Sequence, residues 1–245
     1  MTKRRILHLS GADVRDFLQG LITNDVNRID AGLVYAAILT PQGKYIADFF
    51  LSPTPTGILL DVDAGMGNAL AQRLNMYKLR ADVVIEETDL FLHRGLGDRP
   101  SDSFADPRHE ALGWRAYRQA EQTDDTTDWT ALRVAHLIPE TGIELTSDTF
   151  ILEAGFERLS GGDFRKGCYV GQEVTARMKH KTELRKGLAQ VSVEGEAETG
   201  SEITSSGKPV GTLLTRSKDT AIAYLRFDRA QGEMQASEAI VTRSD

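Results

Sequence analysis

The chain has one cysteine in 245 residues. A single thiol cannot close an internal disulfide, and alone it cannot build a Cys-rich zinc or iron–sulfur site. Long hydrophobic runs are missing too. No window approaches about 18 apolar residues, so neither a membrane span nor a membrane partner is expected. Positive charge is not in surplus: the net charge is −7 and the pI about 5.3. That balance argues against non-specific coating of DNA, and direct nucleic-acid binding is not expected. No GxGxxG follows a strand, no Walker-type loop is present, and no G-x-S-x-G elbow occurs, which sets aside three common enzyme classes. His8, His93, His109 and His136 show no metal-ligand spacing, so no metal site is assigned. The basic start through Lys3-Arg4-Arg5 runs into a segment too broken and polar for a signal peptide, and a cytoplasmic protein is expected.

What is present is ordinary in bulk: 40% apolar and 27% charged residues, enough chain for one large domain or two to three small ones. Ser10 with Asp13 reads as a helix N-cap and its acid, followed by Val14, Phe17, Leu18 and Leu21 on one helical stripe. Residues 33–39 and 45–51 read as two strands of a hairpin, turning at Thr40-Pro41-Gln42-Gly43. Residues 57–62 read as a strand. Met66, Leu70, Leu74 and Tyr77 predict a helix. Residues 82–86, 90–96 and 112–117 read as strands, and 98–108 as a loop. The acidic stretch 121–128 reads as a linker or surface loop. Trp129, Leu132 and His136 predict a short helix ended by Pro139, with Arg133 on another face. After Gly187, short strands between glycines (one through Leu188, Val191 and Val193, then 210–215 and 220–227) predict a small β-barrel. About 59 residues is marginal for independent stability, so the barrel is expected to pack on the rest of the chain.

The densest chemistry lies in Lys166-Gly167-Cys168-Tyr169-Val170-Gly171-Gln172-Glu173. Between Arg165 and Lys186 seven Lys or Arg (165, 166, 177, 179, 181, 185, 186) face two acids, Glu173 and Glu183, a local charge of +5 in an acidic chain. Cations near a thiol favour its thiolate. Backbone amides around the glycines can face an anion, Gln172 suits the edge of a planar heterocycle, and Tyr169 offers a ring to stack on. The set fits an anionic, partly aromatic small molecule. The alternatives stay open: Cys168 as a small buried hydrophobe and the basic run as a solvated face.

KGCYVGQEVTAR resembles the signature of the YgfZ-type folate-binding proteins and of the mitochondrial iron–sulfur assembly factors related to them. These in turn are similar to the T-protein of the glycine cleavage system, an aminomethyltransferase (the GcvT-like superfamily). Weaker pieces resemble the family in order: Gly11 to Asp13 and Leu21 to Val26, Thr40 to Lys44, Tyr77 to Arg80, Pro139 to Gly142, Leu152 to Ala154, and Gly207 with Val210 and Gly211. The resemblance implies an α+β fold: a T-protein-like folate-binding region of mixed sheets and helices, with a C-terminal β-barrel. Its segments would be residues 1–120, residues 121–186 with the signature, and residues 187–245 as the barrel. The implied cofactor is tetrahydrofolate or a derivative. The implied site is Cys168 as functional thiol, with Lys166, Tyr169, Gly171, Gln172, Glu173 and Arg177 around the folate. Asp48 sits where T-proteins carry an acidic pair, with Ala47 in place of its first member. Ala135 takes the place of a pterin-holding glutamate, with Glu153 as candidate substitute. The implied function is a folate-binding accessory factor for iron–sulfur enzymes, including tRNA-modifying ones, more a non-catalytic factor than an aminomethyltransferase. Its partners would be folate and iron–sulfur assembly proteins or client enzymes. A folate-dependent aminomethyl or one-carbon transferase, and a tRNA- or protein-binding module using the basic segment, are the other two readings.

Overall fold

The computed structural model describes residues 3–180 and 183–244. By internal contacts the chain divides into two compact units, Met1–Thr127 with Glu157–Val174, and Asp128–Phe156 with Thr175–Asp245.

The first unit opens with a strand absent from the sequence reading, β1 (Arg4–Ser10). Its alternation is legible only from Ile6 onward, because the run of basic residues masks the start. Ser10 ends this strand and caps nothing. The cap of α1 (Val14–Gln19) is Asp13, whose side chain makes no capping bond. A 3-10 turn over Val26–Ala31 follows. Next come β2 (Val34–Leu39), β3 (Tyr45–Thr54), β4 (Gly57–Asp63), α2 (Ala64–Tyr77) and β5 (Val84–Glu87). The five strands form one sheet in the order β2-β3-β4-β1-β5, with every neighbouring pair antiparallel. The 40–43 turn closes as expected, with Gly43 N–H donating to Thr40 O at 2.8 Å and Gly43 at φ +76.

Both faces of this sheet are covered, so its central strands are buried on both sides and do not alternate between buried and exposed. One face carries Leu7, Leu9, Val34, Ala36, Ile38, Ala47, Phe49, Leu51, Leu60 and Val62, packed with Val14 and Leu18 of α1 and Leu70 and Leu74 of α2. The intervening residues, among them Tyr35, Asp48, Phe50 and Asp61, take the other face, where successive strand side chains must point. Strand β6 (Phe91–Gly95), the two-residue β7 (Phe104–Ala105) inside the stretch read as a loop, and β8 (Trp114–Arg118) make a second sheet in the order β6-β8-β7. The acidic stretch after β8 has no regular structure. It is nonetheless pinned: Gln122 exchanges two hydrogen bonds with the Arg94 backbone, at 3.0 and 2.9 Å.

The second unit contains α3 (Trp129–Ala135), which places Arg133 in the interior and not on a solvent face. Its guanidinium pairs with Glu140 at 2.9 Å and Glu144 at 3.1 Å and donates to Thr215 Oγ1 at 3.2 Å. A buried arginine is tolerable only with such partners. Helix α4 (Gln172–His180) was not anticipated, because its glycine-flanked start hides the helical period. Strands β9 (Lys186–Glu194), β10 (Glu202–Ser205), β11 (Lys208–Ser217), β12 (Thr220–Arg226), β13 (Glu233–Ala236) and β14 (Ala239–Arg243) close a barrel in the order β10-β11-β12-β9-β14-β13. Ala189, Val191 and Val193 of β9 face its core, while Leu188 points outward. Closure removes free sheet edges, which a barrel this small needs.

Candidate functional site

The KGCYVGQE segment sits between two backbone anchors in the first unit. The upstream anchor begins at residues 23–24, both buried. Thr23 Oγ1 donates to Gly161 O at 2.7 Å and accepts from Ala37 N at 2.8 Å. The Asn24 amide donates to Tyr35 O at 2.8 Å and to Ser160 O at 2.7 Å. Asp163 N donates to Thr23 O at 2.9 Å, and the Asp163 carboxylate accepts from Arg165 N at 2.7 Å and pairs with Arg28. Thr23 and Asn24 therefore stitch the approach to the signature onto β2. Sequence reasoning noted them only as a piece of resemblance. The available signal was a polar pair directly after an apolar helical stripe.

Lys166 comes next and is 8% exposed, the one lysine among the buried described residues. Its ammonium donates to Gln19 O and Ile22 O, each at 2.6 Å, and lies 4.9 Å from the centroid of the Tyr169 ring. Gln19 ends α1, where unpaired carbonyls and the negative end of the helix dipole attract a cation. Burial lowers the Lys166 pKa to about 8, against the opposing pull of Asp25 and Asp163. The sequence reading aimed this ammonium at a bound anion; the structure gives it an intramolecular task. Tyr169, read as a stacking platform, is itself buried and turns a face to Lys166.

Between the anchors the chain surfaces. Gly167 has open space where a side chain would stand, and the Cys168 thiol is exposed. The buried-hydrophobe reading of Cys168 fails on that observation. Val170 turns back onto the sheet core. The downstream anchor is Gly171, at φ +85. A Cβ there would meet Thr40 O at 2.6 Å and Leu39 Cβ at 3.0 Å, and one on Gly43 would meet Val174 at 2.9 Å. The glycines thus let the signature press against the chain's own 40–43 turn. Gln172 and Glu173 open α4, with Glu173 in its first turn and Arg177, Lys179 and His180 in its last, as helix polarity favours. Lys181, counted in the basic segment, lies outside the described residues.

Asp48 lies on the opposite sheet face from Ala47 and is buried. Its carboxylate accepts from Tyr35 Oη at 3.0 Å and Tyr45 Oη at 2.6 Å. Burial, then the Asp48 charge, raises the Tyr35 pKa well above the usual phenol value, so Tyr35 stays a donor. Beyond it, on the same face, runs a charged network that sequence reasoning missed. Asp61 is fully buried between Arg4 and Arg115, each at 2.6 Å. Burial resists its ionisation, but the two guanidiniums hold its pKa below the usual carboxylate value. Tyr117 donates to Asp61 at 3.1 Å, and Asp106 joins Arg108 at 2.8 Å to Arg115 at 3.5 Å. Arg108 and Arg115 stack over Phe50, at 4.8 and 3.9 Å from its centroid. The signal was an aspartate in the middle of a buried strand, which requires a cation somewhere in the fold.

Glu153 belongs to the second unit, where it accepts from Tyr224 Oη at 2.6 Å and its carbonyl accepts from Leu188 N at 2.8 Å. Among the described residues no group of three or more His, Cys, Asp or Glu side chains could hold a metal ion. Among them, too, no helix is long and apolar enough to cross a membrane.

Residues 185–244 match the family model described as the CAF17 C-terminal beta-barrel domain. The chain is 30% identical over 223 residues to an iron-sulfur cluster assembly factor IBA57 homolog, mitochondrial, of Mycosarcoma maydis, a match covering 77% of this chain and 55% of the relative. The chain thus spans about half the length of that relative. It is 28% identical over 278 residues to the mitochondrial iron-sulfur cluster assembly factor IBA57 of Mus musculus, covering 94% of this chain and 78% of the relative. Its fold matches the crystal structure of glycine cleavage system aminomethyltransferase T from Bartonella henselae with a TM-score of 0.80 and 12% identity, over 98% of this chain and 83% of that one. The α+β aminomethyltransferase-like fold with a C-terminal barrel is thereby established.

Proposed function

We propose that this protein is a folate-binding accessory factor that supports assembly or repair of iron–sulfur enzymes, tRNA-modifying ones among them. The observation that carries the reading is the similarity to named iron–sulfur cluster assembly factors, over 94% of the chain in the case of the Mus musculus relative. The exposed Cys168 supports it, since one accessible thiol can serve as a transient ligand or exchange partner for a cluster held with another protein. Tetrahydrofolate or a derivative is the proposed ligand, and iron–sulfur assembly proteins or their clients the proposed partners. The cytoplasm is the proposed compartment, because it keeps an exposed thiol reduced; the named relatives are mitochondrial.

The aminomethyltransferase-like fold favours one rival, a one-carbon transferase. Two features weigh against turnover. Ala47 is buried in the apolar core, and Asp48 is engaged by two phenols. A catalytic acid or base must reach the reacting group. Calorimetric titration with tetrahydrofolate tests ligand binding. Assay of methylene-tetrahydrofolate formation from an aminomethylated carrier separates the rivals: saturable binding without turnover is expected. Turnover abolished by Asp48→Ala would replace the accessory role with the transferase, and no binding at all would remove folate from the account.

A further inference from the structure

We infer that Lys166 is a positioning residue, whose ammonium fixes the loop presenting the Cys168 thiol by tying it to the carboxyl end of α1. This deepens the proposed function and rests on its reading of Cys168 as the working group.

The ammonium has three N–H donors. Two are used on Gln19 O and Ile22 O at 2.6 Å. The Tyr169 ring flanks the charge at 4.9 Å, so residue 169 is held by the same cation that anchors residue 166. The charged groups facing the site are Asp25 and Asp163. Both are held elsewhere: Asp25 by the Gln19 amide at 3.1 Å and by Asn27 N, Asp163 by Arg28 and by Arg165 N. They shape the potential without replacing the two carbonyls. Downstream, Gly171 is wedged on Thr40 O. Two fixed ends therefore bracket a stretch in which Tyr169 is buried, Val170 packs inward, and Gly167 and Cys168 alone stand in the open. A lysine meant for a soluble anion would keep its head in water, as long side chains do when free to.

The test uses the full chain with Lys166→Met, which keeps length and removes the charge. Amide hydrogen exchange is followed at residues 167–170 and 19–24, with β1 and β4 amides as internal reference. The rate of native Cys168 alkylation by iodoacetamide at one fixed pH and tetrahydrofolate titration complete the set. Expected are exchange about tenfold or more faster in both segments, with the reference strands unchanged, and an altered rate of thiol alkylation. Unchanged exchange in both segments overturns the inference, all the more if tetrahydrofolate affinity falls, since Lys166 would then be a ligand contact. If Lys166→Met does not fold, the Tyr169 pair decides. Tyr169→Leu loosening the loop while Tyr169→Phe leaves it intact supports the anchor, and equal exchange in the two overturns it. The exchange readout does not depend on what the thiol does. Full activity of Cys168→Ser in cells would end the functional role of the thiol, and with it the positioning role, while the measured tether would remain.

Discussion

Burying the Lys166 ammonium costs free energy, and two carbonyls and a ring offset only part of it. With a folded pKa of about 8 against an unfolded value of about 10.4, the unfolded chain binds more protons between those limits. Stability contributed by this group therefore rises as pH climbs through that window, and below about pH 8 the charge penalty is present in full. Urea unfolding of wild type and Lys166→Met at about pH 7 and pH 10 should show a rise in the wild type that is absent in the variant, of at most a few kcal/mol. Parallel pH dependence in both would contradict the burial argument. Cys168, unlike Lys166, has an exposed side chain. Cys168→Ser should shift unfolding by no more than about 0.5 kcal/mol, and the native thiol should label with iodoacetamide without denaturant. At this scale the sequence made the thiol, the glycines and the basic residues visible. It did not show where Lys166 points, because a charge bound to backbone carbonyls 144 and 147 positions away leaves no pattern in its own neighbourhood.

The two glycines of the eight-residue segment are of different kinds, and only one of them is required by its surroundings. Gly171 combines a positive φ with a backbone oxygen 2.6 Å from any added Cβ. Gly171→Ala should cost about 1–3 kcal/mol and loosen the 40–43 turn. Gly167→Ala should be close to neutral, since nothing lies within 4 Å; thermal melts of the pair check the contrast. On the second face of the five-stranded sheet, Asp61→Ala takes the nearest carboxylate from the buried Arg115 and from the partly buried Arg4, and should destabilise by about 3–5 kcal/mol. Arg15→Ala breaks only the exposed pair with Asp30, which solvent screens, and should cost far less than Asp61→Ala. Denaturant midpoints that rank these two the other way would refute the reading of the network. Strands β2 to β4 were legible as short apolar runs, helix α2 and the barrel by their periods, with glycines or a proline punctuating them. Strand β1 and helix α4 were not. One is masked by charges at its start, the other by a glycine-rich approach. The network of Asp61, Asp106, Arg108 and Arg115 was invisible because its members come together only when β4, β7 and β8 are in place.

For the molecule as a whole, the fold is that of an aminomethyltransferase while the sequence likeness is to iron–sulfur assembly factors. Function follows the site and not the fold. Here the site presents an exposed thiol between two backbone anchors, and the Asp48 carboxylate is enclosed by tyrosines. The central claim is that iron–sulfur enzymes depend on this protein through Cys168. Its most direct test is the activity of an iron–sulfur enzyme in cells lacking the protein, after re-expression of the wild type or of Cys168→Ser at matched levels. The account predicts restored activity with the wild type and little above the empty control with the serine variant. Equal restoration by both, or none by the wild type, would contradict it.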